Sequence, residues 1–235
     1  MSQRYYSSIY WHFVGSPEGI NWHKVKKPSD ILKQKKDLNI ETKSDEKCLE
    51  IALSIVKSKR LHASCTELID DQLITDPFCC VTDIPFKDLV NHSKYYGKTA
   101  LGFKASSIHE YFLPVLYQPT RYLPTVHDGY DVIHGDRWIR GRESMIERRK
   151  IDPNMKNNPL KNYLKLTEFS EKSEESFYQE REWRHTGSDY VFSASDLVAI
   201  LAPEASLSKL QSLLDSEGTI SSSTSFISWE FLEKA

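Results

Sequence analysis

The sequence predicts an α+β fold: a single domain, residues 1–235, with a split, mixed and mostly antiparallel sheet surrounded by helices. The chain has 235 residues, of which 39% are hydrophobic, so one sizeable core is expected. Short β-prone segments alternate with helical segments of unequal length, unlike the regular spacing of a doubly wound parallel sheet. The sequence also contains no Gly-x-Gly-x-x-Gly motif and no phosphate-binding loop.

The first third of the chain predicts a strand followed by two helices. Residues 5–14 are rich in aromatic side chains, which favours a strand, and residues 15–19 contain the glycines and proline that end it. Ser29 is a candidate cap for a helix that starts at Asp30. Apolar residues recur at spacings of three and four across residues 44–59, which predicts an amphipathic helix capped by Ser44.

The middle of the chain predicts short strands separated by helices. Residues 86–96 are expected to form a helix that Gly97 ends, and Ser106 or Ser107 to begin a helical turn. The predicted strands are residues 61–64, 78–82, 99–103 and 112–117.

Residues 118–159 are predicted to be an excursion inserted into this domain. Residues 118–135 are rich in Pro, Gly, Asp and His, which predicts a loop, and Arg137–Lys150 is interpreted as a basic amphipathic helix.

Beyond the excursion the sequence predicts a helix at 160–169, strands at 180–186, 190–192 and 197–201, a helix from a Ser206 cap to Leu214, and a strand or short helix at 227–231.

Composition and cysteine spacing exclude several classes. The net charge of −2 is unlike that of a protein that coats DNA. None of the four cysteines forms a Cys-x-x-Cys pair, so we expect neither a disulfide nor zinc, and the histidines show no zinc-protease spacing. The N-terminus lacks the apolar core of a signal peptide, and the apolar stretch at 197–203 is far below the ~20 residues of a membrane span. A cytoplasmic protein without membrane contact is therefore expected.

Two segments carry a local excess of positive charge. Lys24–Lys36 contains six lysines against one aspartate, and Arg137–Lys150 is similarly basic. Such runs form either a solvated protein surface or a contact with RNA or DNA, and the sequence leaves both open.

The strongest candidate for chemistry is Tyr178–His185, which contains two glutamates separated by one residue. If residues 180–184 are extended, Glu180, Glu182 and Arg184 lie on one face. Two such carboxylates raise the pKa of one of them, and together they can orient a ribose hydroxyl and stabilise a cationic sugar transition state. The alternative is that these glutamates form ion pairs with arginines across neighbouring strands.

A second candidate is the aromatic strand. Tyr10 and His12 point the same way in a strand, where a neutral histidine could bind a ribose hydroxyl and an aromatic ring could stack on a base or on nicotinamide. The alternative is a histidine that hydrogen-bonds within the core, among core aromatics.

Four segments, taken in order, resemble the AbiGi family of bacterial abortive-infection proteins. They are Ile9–Ile20, Phe78–Pro85, Tyr95–Phe103 and Tyr178–Arg184, and Ile227–Glu230 resembles the tail of that family. The resemblance spans nearly the whole chain. It implies a role in phage defence, in which the family is usually described as the antitoxin of a toxin–antitoxin pair.

The same layout remotely resembles the ADP-ribosyltransferase fold with a His, Tyr and Glu triad. The matching positions are His12, Tyr95 or Tyr96, and Glu182, with Glu180 two residues before it. This resemblance implies NAD as substrate, no metal, and transfer of ADP-ribose to a macromolecule, with a nucleic acid as one option. It also implies that His12 and Glu182 face one cleft with a tyrosine on its wall.

Three functions therefore remain open from the sequence. The chain is an ADP-ribosyltransferase that acts as a defence effector, a non-catalytic antitoxin that binds a partner toxin, or a ligand-sensing domain without catalysis.

Overall fold

The computed structural model describes residues 7–70, 73–119, 125–133, 144–217 and 219–234. The strands are β1 Ile9–Phe13, β2 Arg60–Leu61, β3 Leu68–Asp70, β4 Leu73–Ile74, β5 Phe78–Thr82, β6 Ala100–Lys104, β7 Leu113–Pro114, β8 Leu116–Gln118, β9 Thr125–Ile133, β10 Ser144–Ile151, β11 Leu164–Leu166, β12 Glu182–Thr186, β13 Tyr190–Val191, β14 Leu197–Ala202 and β15 Ser225–Ser228. The α-helices are α1 Pro28–Leu38, α2 Asp45–Ser58, α3 Leu89–Tyr96, α4 Ala105–Tyr111, α5 Glu204–Glu217 and α6 Trp229–Leu232.

A seven-stranded sheet in the order β15-β14-β6-β1-β5-β12-β7 forms the centre of the protein. All its neighbouring pairs are antiparallel except β14 and β15, which are parallel. The predicted α+β domain with a mixed, mostly antiparallel sheet is therefore confirmed. Strands β1 and β5 share a single registered pair, Trp11 with Thr82, whereas β1 pairs with β6 along its full length.

Helices cover both faces of this sheet, and each face has its own apolar core. On one face Tyr10, Leu101 and Phe103 pack with buried residues of α2 and α5. On the other face Trp11 and Leu201 pack with α3 and α6. Alternate residues of one strand therefore enter two different cores, as the pleat of a strand requires.

The turn after α3 depends on two glycines that cross at close range. Gly97 has φ +80, and a Cβ built on either Gly15 or Gly97 would lie 2.9 Å from the Cα of the other. Only glycine permits both the backbone angle and the approach. The crossing holds the end of α3, and hence Tyr96, beside the end of β1.

Most predicted elements with a strong local pattern are confirmed. They include β1, α2 with its Ser44 cap, β5, α3 with Gly97 after it, β6 and β14. The two other predicted caps are wrong. Helix α1 begins at Pro28 with Lys27 as its cap, and α5 begins at Glu204, so Ser29 and Ser206 lie inside helices.

The excursion at 118–159 differs from its prediction as a loop followed by a helix. Residues 125–133 and 144–151 form the antiparallel ribbon β9–β10, with an irregularity at Arg148 and Arg149, while 137–143 lie outside the described residues. Arginine and glutamate favour helix only weakly, and backbone pairing with residues 125–133 outweighs this preference.

The predicted helix at 160–169 is also wrong. A 3₁₀ turn at Pro159–Tyr163 leads into β11, which pairs in parallel with β8. Among the described residues, no helix is both long enough and apolar enough to cross a membrane.

Candidate functional site

Three chain segments bring buried charges together beside β12. Glu182 and Arg184 belong to β12, Glu180 ends the 3₁₀ turn Phe177–Glu180, and Lys165 is the central residue of β11. The prediction that residues 180–184 are extended is wrong at its start, because Arg181 adopts a left-handed conformation with φ +45. This turn nevertheless leaves both glutamate side chains directed at the same lysine.

Lys165 bridges the two glutamates. Its Nζ donates to Glu180 Oε2 at 2.7 Å and to Glu182 Oε2 at 2.9 Å. The three residues are at most 9% exposed. One buried ammonium therefore holds the two carboxylates that the sequence singles out.

Arg184 completes the neutralisation of Glu182. Its Nε donates to Glu182 Oε1 at 2.8 Å, and it forms a second ion pair with Glu67. The guanidinium is fully buried, lies over the ring of Phe78 and donates to the carbonyl of Asn162 at 3.0 Å. The charge cluster, defined as Glu67, Lys165, Glu180, Glu182 and Arg184, thus contains three carboxylates and two cations.

The two central glutamates have opposite protonation tendencies. Burial alone would raise the pKa of Glu182, but Arg184 and Lys165 outweigh it and hold that pKa at about 2. For Glu180, burial raises the pKa despite the opposing effect of Lys165. One carboxyl of the pair has a raised pKa, as the sequence argument expects, but burial rather than repulsion between the two carboxylates is the main cause.

Aromatic side chains enclose the charge cluster. Tyr96 donates its hydroxyl to Glu180 Oε1 at 2.5 Å, and the hydroxyl of Tyr117 accepts from the backbone N–H of Glu182 at 2.8 Å. His92 stacks on Tyr96 with ring centroids 4.5 Å apart, and burial lowers its pKa to about 3, so its ring is neutral. Each oxygen of Glu180 and Glu182 thus accepts at least one hydrogen bond from a protein group.

His12 does not join this cluster. Trp11 pairs with Thr82, and Thr82 with Glu182, so these three side chains lie on one face of the sheet. Neighbours in a strand alternate, and His12 therefore leaves β1 on the other face. Its Nδ1 lies 2.8 Å from the carbonyl oxygen of Cys80, and burial lowers its pKa. The prediction that His12 and Glu182 face one cleft is therefore contradicted.

The two remaining predicted residues also lie elsewhere. Tyr10 is fully buried in the core opposite Glu182, where its hydroxyl lies 2.8 Å from His109 Nε2 and its ring packs edge-on against Trp183. Tyr95 is buried with Ile20 in a separate apolar cluster. Of the predicted site residues, the structure brings together Tyr96, Glu180 and Glu182.

Comparison with known proteins identifies the family. A family model described as abortive phage resistance protein AbiGi, antitoxin, matches residues 47–213, which is well over half of the chain. The chain belongs to the AbiGi family. Searches of the curated proteins and of the solved structures found no match.

The match includes every member of the charge cluster, since Glu67 to Arg184 lie within the matched residues. In this AbiGi chain, phage resistance and a toxin partner follow from the family description. An ADP-ribosyltransferase-like fold, NAD binding and a nucleic-acid acceptor stay predictions.

The basic segment Lys24–Lys36 is partly neutralised in the AbiGi structure. Lys27 forms an ion pair with Glu175, and Lys35 lies 3.3 Å from Glu41. Its remaining lysines at 24, 26, 33 and 36 are exposed. The segment therefore retains surface charge, and its contact with RNA or DNA stays a prediction.

A surface pocket of about 510 Å³ lies apart from the charge cluster, between α4 and the segment 191–196. One of the two acids that line it, Asp196, accepts from Ser107 at 2.5 Å and from Lys104 at 2.9 Å. Protein groups engage the carboxylate of Asp196, as they do those of Glu180 and Glu182, and none of the predicted site residues lines this pocket.

No group of three or more metal-binding side chains is found among the described residues. Burial raises the pKa of the Cys79 thiol to about 12 and raises that of Cys80, which disfavours a thiolate nucleophile at either position.

Sequence reasoning missed Lys165, Tyr117 and His92. The alternation of Leu164, Lys165 and Leu166 is typical of a strand rather than a helix, but it does not indicate that the lysine is buried. For Tyr117 the local sequence offers no signal, because its partner Glu182 is 65 residues away in sequence. His92 stacks on Tyr96 in the same helix, but its position beside Lys165 and Glu182 depends on the tertiary fold.

Proposed function

We propose that this chain is a non-catalytic antitoxin that binds a partner toxin and neutralises it. The family description supports this function. The observation that carries it is the state of Glu180 and Glu182, whose four carboxylate oxygens all accept hydrogen bonds inside the protein.

A glycosyl-transfer site makes a different demand on its carboxylate. The oxocarbenium-like transition state is stabilised by negative charge that is directed at the sugar and not already compensated. Here Glu182 faces a lysine and an arginine at 2.9 and 2.8 Å and is 7% exposed. Its negative charge stabilises the fold, and little remains for a reacting sugar.

The experiment is co-expression of this chain with a candidate partner toxin, followed by purification of the complex. We expect growth to be restored, the two proteins to copurify, and labelled NAD to remain intact. A Tyr96→Phe variant removes only the hydroxyl that bonds Glu180, so we expect it to neutralise as the wild type does. Growth arrest despite co-expression, or the absence of a complex, contradicts the proposal.

Transfer of ADP-ribose from NAD is the second candidate, and one observation favours it. Tyr96, Glu180 and Glu182, which the remote resemblance assigns to one site, are connected through hydrogen bonds and Lys165. This chemistry would use NAD as substrate and no metal, with the basic segments Lys24–Lys36 and Arg137–Lys150 receiving an RNA or DNA acceptor.

Incubation with labelled NAD and cell RNA or lysate separates the two candidates. An antitoxin leaves the label on NAD in the wild type and in Glu182→Gln alike. A transferase moves the label, and Glu182→Gln then lowers the rate by about 10²–10³ because it removes one stabilising charge.

A further inference from the structure

The loop of residues 167–177, here called the acidic loop, lies at the surface next to the charge cluster and is closed by hydrogen bonds at its base. Its ends meet where the backbone N–H of Phe177 donates to Thr167 Oγ1 at 2.8 Å, and both Thr167 and Ser176 are buried. Loops closed in this way are frequently functional.

Ion pairs also fix the far end of the acidic loop. Glu174 binds Lys94 at 2.9 Å and Glu175 binds Lys27. The charge cluster anchors both flanks, because Lys165 in β11 and Glu180 after the loop are bonded to each other at 2.7 Å. The loop is thus preorganised, which lowers the entropy lost when a partner binds.

The acidic loop and the 3₁₀ turn that follows it present aromatic side chains to solvent. Phe169 and Tyr178 are 57% and 58% exposed, and their ring centroids lie 5.6 Å apart. Tyr117 continues the group, with its ring 5.6 Å from that of Tyr178. Clustered surface aromatics are enriched at the centres of protein interfaces, where they carry much of the binding energy.

Unpaired negative charge flanks these rings. Glu168 and Glu171 are exposed, and neither forms an ion pair with any residue in the described ranges, whereas Lys172 is the one basic residue within 167–177. Such a surface favours a positively charged protein and repels the phosphates of a nucleic acid. In a two-fold dimer the same acidic loop would meet itself, which disfavours a second copy.

We infer that Phe169, Tyr178 and Tyr117, flanked by Glu168 and Glu171, form the surface that docks a basic face of the partner toxin. This inference rests on the proposed antitoxin function and specifies its interface. The two outer rings enter an apolar depression on the toxin, and the two glutamates face its lysines or arginines.

The experiment measures binding of the purified toxin to the wild type and to three variants. A double variant, Phe169→Ala with Tyr178→Ala, removes the exposed rings, and Glu168→Lys with Glu171→Lys reverses the unpaired charge. The matched control is Phe231→Ala in α6, because Phe231 is 61% exposed and lies near β15, at the other end of the sheet from β12.

The aromatic double variant should weaken the Kd by about 30-fold or more, the size expected for a central hot spot. Charge reversal should slow association by roughly 10-fold and reduce its salt dependence. The Kd of the Phe231→Ala control should stay within about twofold of the wild-type value, as is expected for a side chain outside the interface. Circular dichroism of each variant checks the fold. If the aromatic variant is unfolded, binding of the toxin to the charge-reversed variant tests the inference.

The outcomes separate this inference from the proposed function. If the wild type binds no toxin, the antitoxin function itself fails and the interface with it. If the wild type binds and both loop variants bind as tightly as Phe231→Ala, only the interface is overturned. If light scattering shows that the loop variants abolish self-association instead, the surface contacts a second copy and the inference is wrong.

Discussion

Two pairs of glutamates lie close in sequence, and their environments are opposite. Glu180 and Glu182 are buried, and every oxygen accepts from a protein group. Glu168 and Glu171 are exposed and without an ion pair in the described part of the chain. Under the proposed function, the Glu-x-Glu motif at Glu180 and Glu182 serves the fold, and the exposed glutamates at 168 and 171 are the ones proposed to contact a partner.

The two environments are physically connected. The charge cluster bonds β11 to β12 and to the 3₁₀ turn between them, and the acidic loop spans residues 167–177 between β11 and that turn. Replacing a buried ion pair by apolar residues is often neutral for stability, so such a pair is better explained by the geometry that it fixes. We propose that this geometry is the position of the loop.

The largest expected effect comes from removing one charge of the cluster. Glu182→Gln leaves Arg184 and Lys165 buried beside an uncharged amide. Breaking a buried pair in this way costs about 3–5 kcal/mol of unfolding free energy, measurable by urea denaturation.

The matched control for this variant is Glu168→Gln. It makes the same chemical change at an exposed position and should alter the unfolding free energy by less than about 0.5 kcal/mol. Equal effects of the two substitutions would show that burial does not distinguish the two pairs of glutamates.

The pH dependence of stability sharpens the comparison. The folded-state pKa of Glu182, about 2, lies below its ordinary value of 4.5, so the ionised carboxylate stabilises the fold above pH 4.5. That contribution, about 3 kcal/mol for a shift of this size, is lost as the pH falls from 4.5 to about 2. Glu180 acts in the opposite direction, because its folded-state pKa is raised.

Comparing variants isolates the contribution of Glu182. The difference in unfolding free energy between the wild type and Glu182→Gln should narrow across this acidic range and stay constant above it. A difference that does not change with pH would mean that Glu182 titrates normally in the folded protein.

Sequence patterns correctly predicted the elements whose local preference for helix or strand agrees with the structure that they adopt in the fold. The helix α2 shows a clear 3.6-residue periodicity, and the strand β14 is a continuous apolar run buried within the sheet. The ribbon strand β10 was predicted as a helix because its basic residues favour helix locally, whereas pairing with β9 determines the outcome.

The site was predicted in part for a related reason. Glu180 and Glu182 were expected to share an environment because of strand alternation, but a left-handed residue, Arg181, separates the 3₁₀ turn that contains Glu180 from the strand that begins at Glu182. Both glutamates bind Lys165, and this is a tertiary contact that no local sequence pattern predicts. The predicted partnership of His12 with Glu182 failed because the register of β5 decides which face each side chain occupies.

A double-mutant cycle tests a contact of intermediate size, that between Lys165 and Glu180. Lys165→Met and Glu180→Gln should each destabilise the protein, and the double variant should be more stable than the sum of the two effects predicts. Contacting residues of this kind couple by about 1–2 kcal/mol. A coupling energy of zero would mean that the 2.7 Å contact between Lys165 and Glu180 contributes nothing to the stability of the protein.

The smallest effect on stability is expected at the exposed pair, and it is the most informative for function. Glu168→Gln with Glu171→Gln removes two charges that no described cation balances, so the unfolding free energy should change by less than about 0.5 kcal/mol. Association with the toxin should nevertheless slow, and the loss should be largest at low ionic strength, where exposed charges are least screened. Unfolding curves and association rates at two salt concentrations measure both quantities. A variant that loses stability but associates normally would place these acids in the scaffold with Glu180 and Glu182, and the contrast between the two pairs would disappear.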